Sequence, residues 1–189
     1  VGGTAAVSGT WDPAYEGLRE VLGASLTSGD DLGASVAVVH HGRLVADLWG
    51  GWCDAERTRP WESDTITNVW STTKTMTNLC ALVLADRGEI DLDAPVARYW
   101  PEFATNGKEG VLVRHCLAHT AGLPAWDEPI TATDFEDWER CTSLLAAQAP
   151  WWEPGTVAGY HGVTQGYLVG EVVRRVTGRT LGTFFAEEL

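Results

Sequence analysis

The sequence predicts an α/β (α+β) protein, because two adjacent strand-like segments near the start are accompanied by several amphipathic helices. Apolar residues recur at three- and four-residue spacing over residues 13–27, which predicts a helix that ends at Gly29. Residues 34–39 and 44–49 are rich in β-branched and apolar side chains. The glycine at Gly42 suits a tight connection between them, so the two segments predict a β-hairpin.

The second part of the chain is predicted to be mainly helical. Residues 71–86 follow a helical pattern with apolar side chains on several sides, which indicates a buried helix, and Gly88 ends it. Three further helices are expected, near residues 113–118, 134–148 and 163–176.

These patterns predict two parts, residues 1–66 with the first helix and the first strands of a sheet, and residues 67–189 with most of the helices. A two-stranded hairpin alone is marginally stable in water, and its apolar face needs a cover. Either the helix at residues 13–27 covers this face, or sequence beyond Leu189 completes the fold.

Composition excludes several classes of partner. The net charge of −13 and the pI near 4.6 oppose binding to nucleic acid and to anionic membrane surfaces. No segment approaches the roughly 20 apolar residues of a membrane span. The chain begins at Val1 without a leader pattern, and the four cysteines are widely spaced, which favours the cytoplasm unless an export signal has been removed. The oligomeric state is left open.

A small group of potential metal ligands is present at His115, Cys116 and His119. It lies in one amphipathic turn and lacks a second ligand group nearby in sequence, so we expect neither a metal nor a cofactor. A metal site on these three residues stays open as a minor alternative.

Ser71 and Lys74 lie one helical turn apart, and the chain contains only two lysines. A serine hydroxyl needs a proton acceptor and donors for the developing oxyanion before it can act as a nucleophile. The Ser71 N–H belongs to the first helical turn, whose donors have no partner within the helix. Apolar neighbours at Trp70, Met76 and Leu79 are expected to bury Lys74 and to favour its neutral form. The alternative is an ordinary lysine on the surface of a helix.

Three segments in order resemble one family. Residues 65–75, around Ser71 and Lys74, resemble the active-serine segment of serine β-lactamases and penicillin-binding proteins. Residues 115–124 are similar to the His-Thr-Ser-Gly-Leu-Pro turn of class C-like members, and residues 152–178 resemble their tyrosine segment. The resemblance implies a β-lactamase/transpeptidase-like fold, with an antiparallel sheet flanked by helices and a mainly helical region.

The resemblance also implies a mechanism. Ser71 would attack a carbonyl carbon and form an acyl-enzyme, while Lys74 and Tyr160 accept and return the proton as a coupled pair. Trp126 and Trp152 are candidate walls of the substrate cleft, although core packing is the usual role of a tryptophan.

Two departures from the family pattern matter. Members that act on amides carry Tyr-x-Asn, whereas the third position here is Gly162, which favours the class C-like carboxylesterases of family VIII and a small-molecule ester as substrate. His161 is a candidate replacement donor. The third family motif, on a later sheet strand, has no match after Val163, so this chain is expected to be an N-terminal portion whose remaining strands and closing helix follow Leu189.

Three rival functions stay open. A β-lactamase or a D-amino-acid peptidase could use the same scaffold, and a non-catalytic relative could bind an acylating ligand as a sensor. The loss of the amide at Gly162 argues against the first two.

Overall fold

A computed structural model describes residues 6–189, which divide into two compact units. The first unit ends at Asn68, and the second covers Val69–Leu189. Each unit has its own cluster of buried apolar side chains.

The first unit is an antiparallel sheet with one helix packed on it. Its elements are β1 (Val7–Trp11), α1 (Glu16–Ser28), β2 (Gly33–His40) and β3 (Arg43–Gly51). The strand order is β1-β3-β2, so β3 lies in the centre. The predicted hairpin of β2 and β3 is confirmed, but β1 was not predicted, and this third strand means that the hairpin is not isolated.

Helix α1 covers the sheet with two leucines. Leu22 and Leu26 pack against Leu48, which is fully buried at the centre of β3. The helix ends where Gly29 adopts φ 83° and donates its N–H to the Ser25 carbonyl, a left-handed cap that glycine adopts without strain. Burial of these side chains stabilises the unit by about 1.5–3 kcal/mol each.

The second unit is helical. Its helices are α2 (Thr73–Asp86), α3 (Val113–Leu117), α4 (Trp138–Ala147), α5 (Thr164–Thr177) and α6 (Leu181–Glu188). The four predicted helices are confirmed with small shifts in their ends, whereas α6 was not predicted. A short 3₁₀ turn, Trp70–Thr72, leads directly into α2.

Helix α5 is the centre of the second unit and packs against α2, α3, α4 and α6. Nine of its residues are buried. Among them, Glu171 is held by Trp138 of α4 and by Arg174 and Arg175 of α5 itself. Because α5 begins at Thr164, this anchored helix fixes the end of the loop that carries Tyr160.

Within residues 6–189, none of the helices is both long enough and apolar enough to cross a bilayer.

Candidate active site

The start of helix α2 brings Ser71 and Lys74 together, as the spacing predicts. Ser71 lies in the 3₁₀ turn before α2, and Lys74 lies in the first turn of the helix. The Lys74 Nζ donates to Ser71 Oγ at 3.4 Å and to the Gly162 carbonyl at 2.7 Å. The amine is therefore held between the hydroxyl and a carbonyl from a distant part of the chain.

Tyr160 completes the cluster from 89 residues further along the chain. Its hydroxyl forms a hydrogen bond with Ser71 Oγ, and Lys74 Nζ lies 4.9 Å from the centre of its ring. The hydrogen bond with Ser71, followed by the contact with Lys74, lowers the pKa of the Tyr160 phenol below its usual value. A hydroxyl, an amine and a phenol thus meet at one point of the second unit.

The surroundings of the cluster are more open than the sequence predicts. Trp70 is 79% exposed, Leu79 is 38% exposed, and Lys74 itself is half-buried. Helix α2 instead directs Cys80 and Leu84 into the core. The expectation of a buried lysine, based on apolar neighbours, is wrong, because Lys74 is only half-buried and Leu79 lies off the buried face of α2.

Backbone conformation beside the serine is unusual. Trp70 has φ 47°, a left-handed conformation that a residue with a large side chain rarely adopts. Residues in such conformations often lie at functional sites, where the surrounding structure determines them.

Two histidines hold the segment that carries Tyr160. The His161 N–H donates to His119 Nδ1 at 3.1 Å, and the Gly159 N–H donates to the His119 carbonyl at 3.0 Å. The ring of His161 accepts from the Leu123 N–H at 3.0 Å through Nε2 and lies 2.5 Å from the Gly159 carbonyl through Nδ1.

These contacts correct the prediction for His161. Its side chain is fully buried, and both ring nitrogens already have partners in the protein. The imidazole cannot act as a donor to substrate, so its role is to connect the turn at Leu123 with the loop at Gly159. Sequence reasoning could not find this, because burial and ring partners depend on the fold.

Gly162 contributes its carbonyl, which accepts from Lys74. A Cβ at this position would lie 3.3 Å from Cε1 of the Tyr160 ring, which is a tight contact. The absence of a side chain therefore lets the phenol pack closely over this part of the loop.

The two tryptophans proposed as cleft walls make packing contacts. Trp152 meets the ring of His161 edge-on, with 6.0 Å between ring centres. Trp126 packs against Tyr167 and Phe135 and donates its indole N–H to the Cys141 carbonyl at 2.9 Å. Both side chains are partly buried, and their role as cleft walls stays a prediction.

The residues of the possible metal cluster have other partners. His115 Nδ1 accepts from the Leu112 N–H at 3.2 Å, and His119 Nδ1 accepts from His161. Burial raises the pKa of the Cys116 thiol to about 12, which opposes the thiolate that a metal needs. In the described part of the chain, no group of three or more His, Cys, Asp or Glu side chains is arranged to hold a metal.

Fold and site together define a class: a β-lactamase/transpeptidase-like protein in which a Ser-x-x-Lys helix start meets a distant tyrosine. A family model described as Beta-lactamase matches residues 18–189. The chain belongs to the β-lactamase family.

Its relatives include esterases. The chain is 38% identical over 183 residues to the Esterase/beta-lactamase LipL of Mycobacterium tuberculosis, covering 97% of this chain and 42% of that protein. It is 33% identical over 168 residues to the Esterase EstB of Burkholderia gladioli, covering 79% of this chain and 42% of that protein. The chain therefore spans less than half the length of these relatives.

Solved structures agree with this assignment. The crystal structure of a family VIII carboxylesterase matches 97% of this chain and 50% of its own, with 46% identity and a TM-score of 0.89. A penicillin-binding protein homolog from Caulobacter crescentus matches 97% of this chain and 49% of its own, with 40% identity and a TM-score of 0.91. The predicted family and fold class are confirmed.

Proposed function

We propose that this protein is a serine hydrolase that cleaves small carboxylic esters through an acyl-enzyme on Ser71. The observation that carries the proposal is the pair of hydrogen bonds at Ser71 Oγ, one with the Tyr160 hydroxyl and one with Lys74 Nζ. A serine with two potential proton acceptors in contact has the activating base that nucleophilic catalysis by serine requires.

The first half of the reaction is acylation. Ser71 Oγ bonds to the ester carbonyl carbon, its proton passes to the pair of Tyr160 and Lys74, and the carbonyl oxygen becomes an oxyanion. When the tetrahedral intermediate collapses, the bond to the alcohol oxygen breaks and the same proton returns to that oxygen. The Ser71 N–H, in the turn that starts α2, is the proposed donor to the oxyanion.

The second half is deacylation. A water molecule gives its proton to the same pair and bonds to the acyl carbon, and the bond to Ser71 Oγ breaks as Oγ regains a proton. Tyr160 is the better candidate for the group that contacts the moving proton, because its hydroxyl meets Oγ directly and its pKa is lowered. Lys74 holds Ser71 through its hydrogen bond and shares the proton with the phenol as the second member of the pair.

Preference for esters is proposed from Gly162. This residue contributes a carbonyl to Lys74 and has no side-chain amide to bind the amide of a lactam or a peptide. The names of LipL and EstB support an esterase, and LipL is also called a β-lactamase. A β-lactamase or a D-amino-acid peptidase on this scaffold is therefore the second candidate, and a non-catalytic sensor is the third.

Covalent labelling tests the nucleophile. After exposure to an aryl phosphonate ester, mass spectrometry of peptides should find one adduct on Ser71. Ser71→Ala should abolish the adduct, whereas Ser143→Ala, which changes an exposed serine of α4, should leave it unchanged. Folded wild-type protein that stays unlabelled would contradict the proposal and favour the sensor.

Substrate preference is tested by comparing kcat/KM for a short-chain p-nitrophenyl ester with kcat/KM for a chromogenic cephalosporin. The proposal predicts faster turnover of the ester. Much faster turnover of the cephalosporin would replace the esterase with a β-lactamase.

A further inference from the structure

The orientation of Tyr160 has to be fixed by other residues, because its own side chain is mostly exposed. It is 59% exposed, so core packing does not fix its rotamer. An exposed tyrosine loses conformational entropy when it is held in one orientation. The hydroxyl nevertheless meets Ser71 Oγ, so the backbone on either side of Tyr160 and the ring next to it must supply the constraint.

His119 makes contacts on both sides of Tyr160. Its carbonyl accepts from the N–H of Gly159, the residue before the tyrosine, at 3.0 Å. Its Nδ1 accepts from the N–H of His161, the residue after the tyrosine, at 3.1 Å. Its ring centre also lies 5.0 Å from the centre of the Tyr160 ring. One residue thus holds the backbone before the phenol, the backbone after it, and one side of the ring.

The backbone of His119 is adapted to this double contact. It has φ 61°, in the left-handed region where, after glycine, asparagine, aspartate and histidine are the residues found most often. Glycine would adopt this conformation more easily but would lack the imidazole.

The tautomer of His119 follows from its contact. Because Nδ1 accepts a hydrogen bond, it carries a lone pair, and the neutral ring carries its proton on Nε2. Burial first, and the positive charge of Lys74 second, lower the pKa of His119 and keep the ring neutral near pH 7. His161 has the opposite tautomer, since its Nε2 accepts from Leu123 and its Nδ1–H donates to Gly159.

We propose that His119 is a positioning residue for Tyr160: through the lone pair on Nδ1 and through its own carbonyl it fixes the Gly159–His161 backbone, which holds the phenol against Ser71. This inference rests on the proposed function for its catalytic consequence. The geometry of the segment itself does not depend on that function.

Two substitutions at His119 distinguish the effect of the aromatic ring from the effect of the acceptor nitrogen Nδ1. His119→Phe keeps an aromatic ring but removes the acceptor, so kcat for the ester should fall about tenfold or more while KM changes little, since misplacement of a reacting group mainly slows the chemical step. His119→Asn supplies Oδ1 near the position of Nδ1 and tolerates φ 61°, so it should recover most of the lost kcat.

His115→Phe is the matched control. His115 Nδ1 also accepts a backbone N–H, from Leu112 at 3.2 Å, but His115 does not belong to the cluster around Tyr160. His115→Phe should lower the thermal stability to a similar extent and leave kcat within about twofold of wild type. If His119→Phe leaves kcat unchanged, if His115→Phe lowers it equally, or if His119→Asn is no better than His119→Phe, the inference is wrong.

A second measurement does not require activity. The ionisation of Tyr160 can be followed by ultraviolet absorbance near 295 nm. For each variant, the titration curve of the same protein carrying Tyr160→Phe is subtracted, and the difference gives the midpoint of Tyr160. His119→Phe should raise the midpoint toward that of free tyrosine, because the phenol loses its contacts with Ser71 and Lys74, and His115→Phe should not. If the wild type fails to turn over esters, the proposed function fails, and this midpoint still decides the inference: an unchanged midpoint in His119→Phe refutes it.

Discussion

Replacement of Glu171 by glutamine tests how the second unit holds the helix that follows the site. The carboxylate is 1% exposed and accepts N–H donors from Trp138 at 2.7 Å, from Arg174 at 2.8 Å twice, and from Arg175 at 2.7 Å. Glutamine keeps the shape but removes the charge and turns an NH₂ group toward at least one of these donors. The two arginines then lose the negative charge that balances them, and one of the three donor residues loses its acceptor.

The magnitude follows from burial. Loss of one partner of a fully buried ion pair costs about 3–5 kcal/mol, but the side chains of Arg174 and Arg175 keep 35% and 30% of their exposure and stay partly hydrated. We therefore expect Glu171→Gln to lower the free energy of unfolding by about 2–3 kcal/mol, which corresponds to about 4–12 °C in Tm for a chain of this size.

The assay is urea unfolding followed by circular dichroism, with Glu139→Gln as the matched control. Glu139 also pairs with Arg174, at 3.6 Å, but its side chain is 77% exposed, so its loss should cost no more than about 0.5 kcal/mol. If Glu171→Gln costs no more than this control, the assignment of Glu171 as the anchor of α5 is refuted.

The contribution of Glu171 to folding stability depends on pH in a defined direction. Burial alone would raise the pKa of Glu171, but the hydrogen bonds from Arg174, Arg175 and Trp138 outweigh it, and the pKa is lower in the folded protein than in the unfolded chain. The contribution to stability is therefore present above the unfolded pKa, near 4.5, and is lost as the pH falls through the folded pKa. The difference in the free energy of unfolding between wild type and Glu171→Gln should decrease in that acidic range.

Three further predictions concern single positions. Tyr160→Phe should lower kcat for the ester by about 10²–10⁴, and the rise of wild-type kcat/KM with pH should have its midpoint below the pKa near 10 of free tyrosine, because Ser71 first and then Lys74 lower the pKa of the phenol. Trp70→Val should be less stable than Trp70→Gly by about 1–2 kcal/mol in urea unfolding, because φ is 47° at this position. Lys108→Met should cost about 1–3 kcal/mol in the same assay, because the buried amine donates to the carbonyls of Thr105 and Gln148.

Local patterns predicted the elements that have long, regular signals. The helix that became α2 was readable from its apolar repeat and from Gly88, and the hairpin of β2 and β3 from its two apolar runs. Strand β1 was missed because it is only five residues long and contains Gly9, whose φ of 117° lets the backbone approach Asp47 closely.

Helix α6 was missed although a signal was present. Gly178 ends α5 in a left-handed conformation, and the Thr180 side chain accepts from the Thr183 N–H, as an N-cap does. A glycine stop followed two residues later by a threonine cap is a sign of one helix ending and another beginning.

The site was only partly readable. Helical spacing alone brings Ser71 and Lys74 together, but Tyr160 lies too far along the chain for any local pattern, and only the family resemblance connected it to them. The roles of His119 and His161 depend on which ring nitrogen meets which backbone group. That is a property of the folded loop, and the sequence suggested other roles for both residues, a possible metal ligand for His119 and a substrate donor for His161.

Rapid-quench mass spectrometry with a p-nitrophenyl ester of a short acid tests most directly whether Ser71 carries the acyl group. The protein is mixed with the ester, quenched in acid within milliseconds and digested. One acyl group is expected on Ser71, and it should form more slowly in Tyr160→Phe and be absent in Ser71→Ala. Ester turnover with the acyl group on another residue, or turnover that persists unchanged in Ser71→Ala, would contradict this expectation.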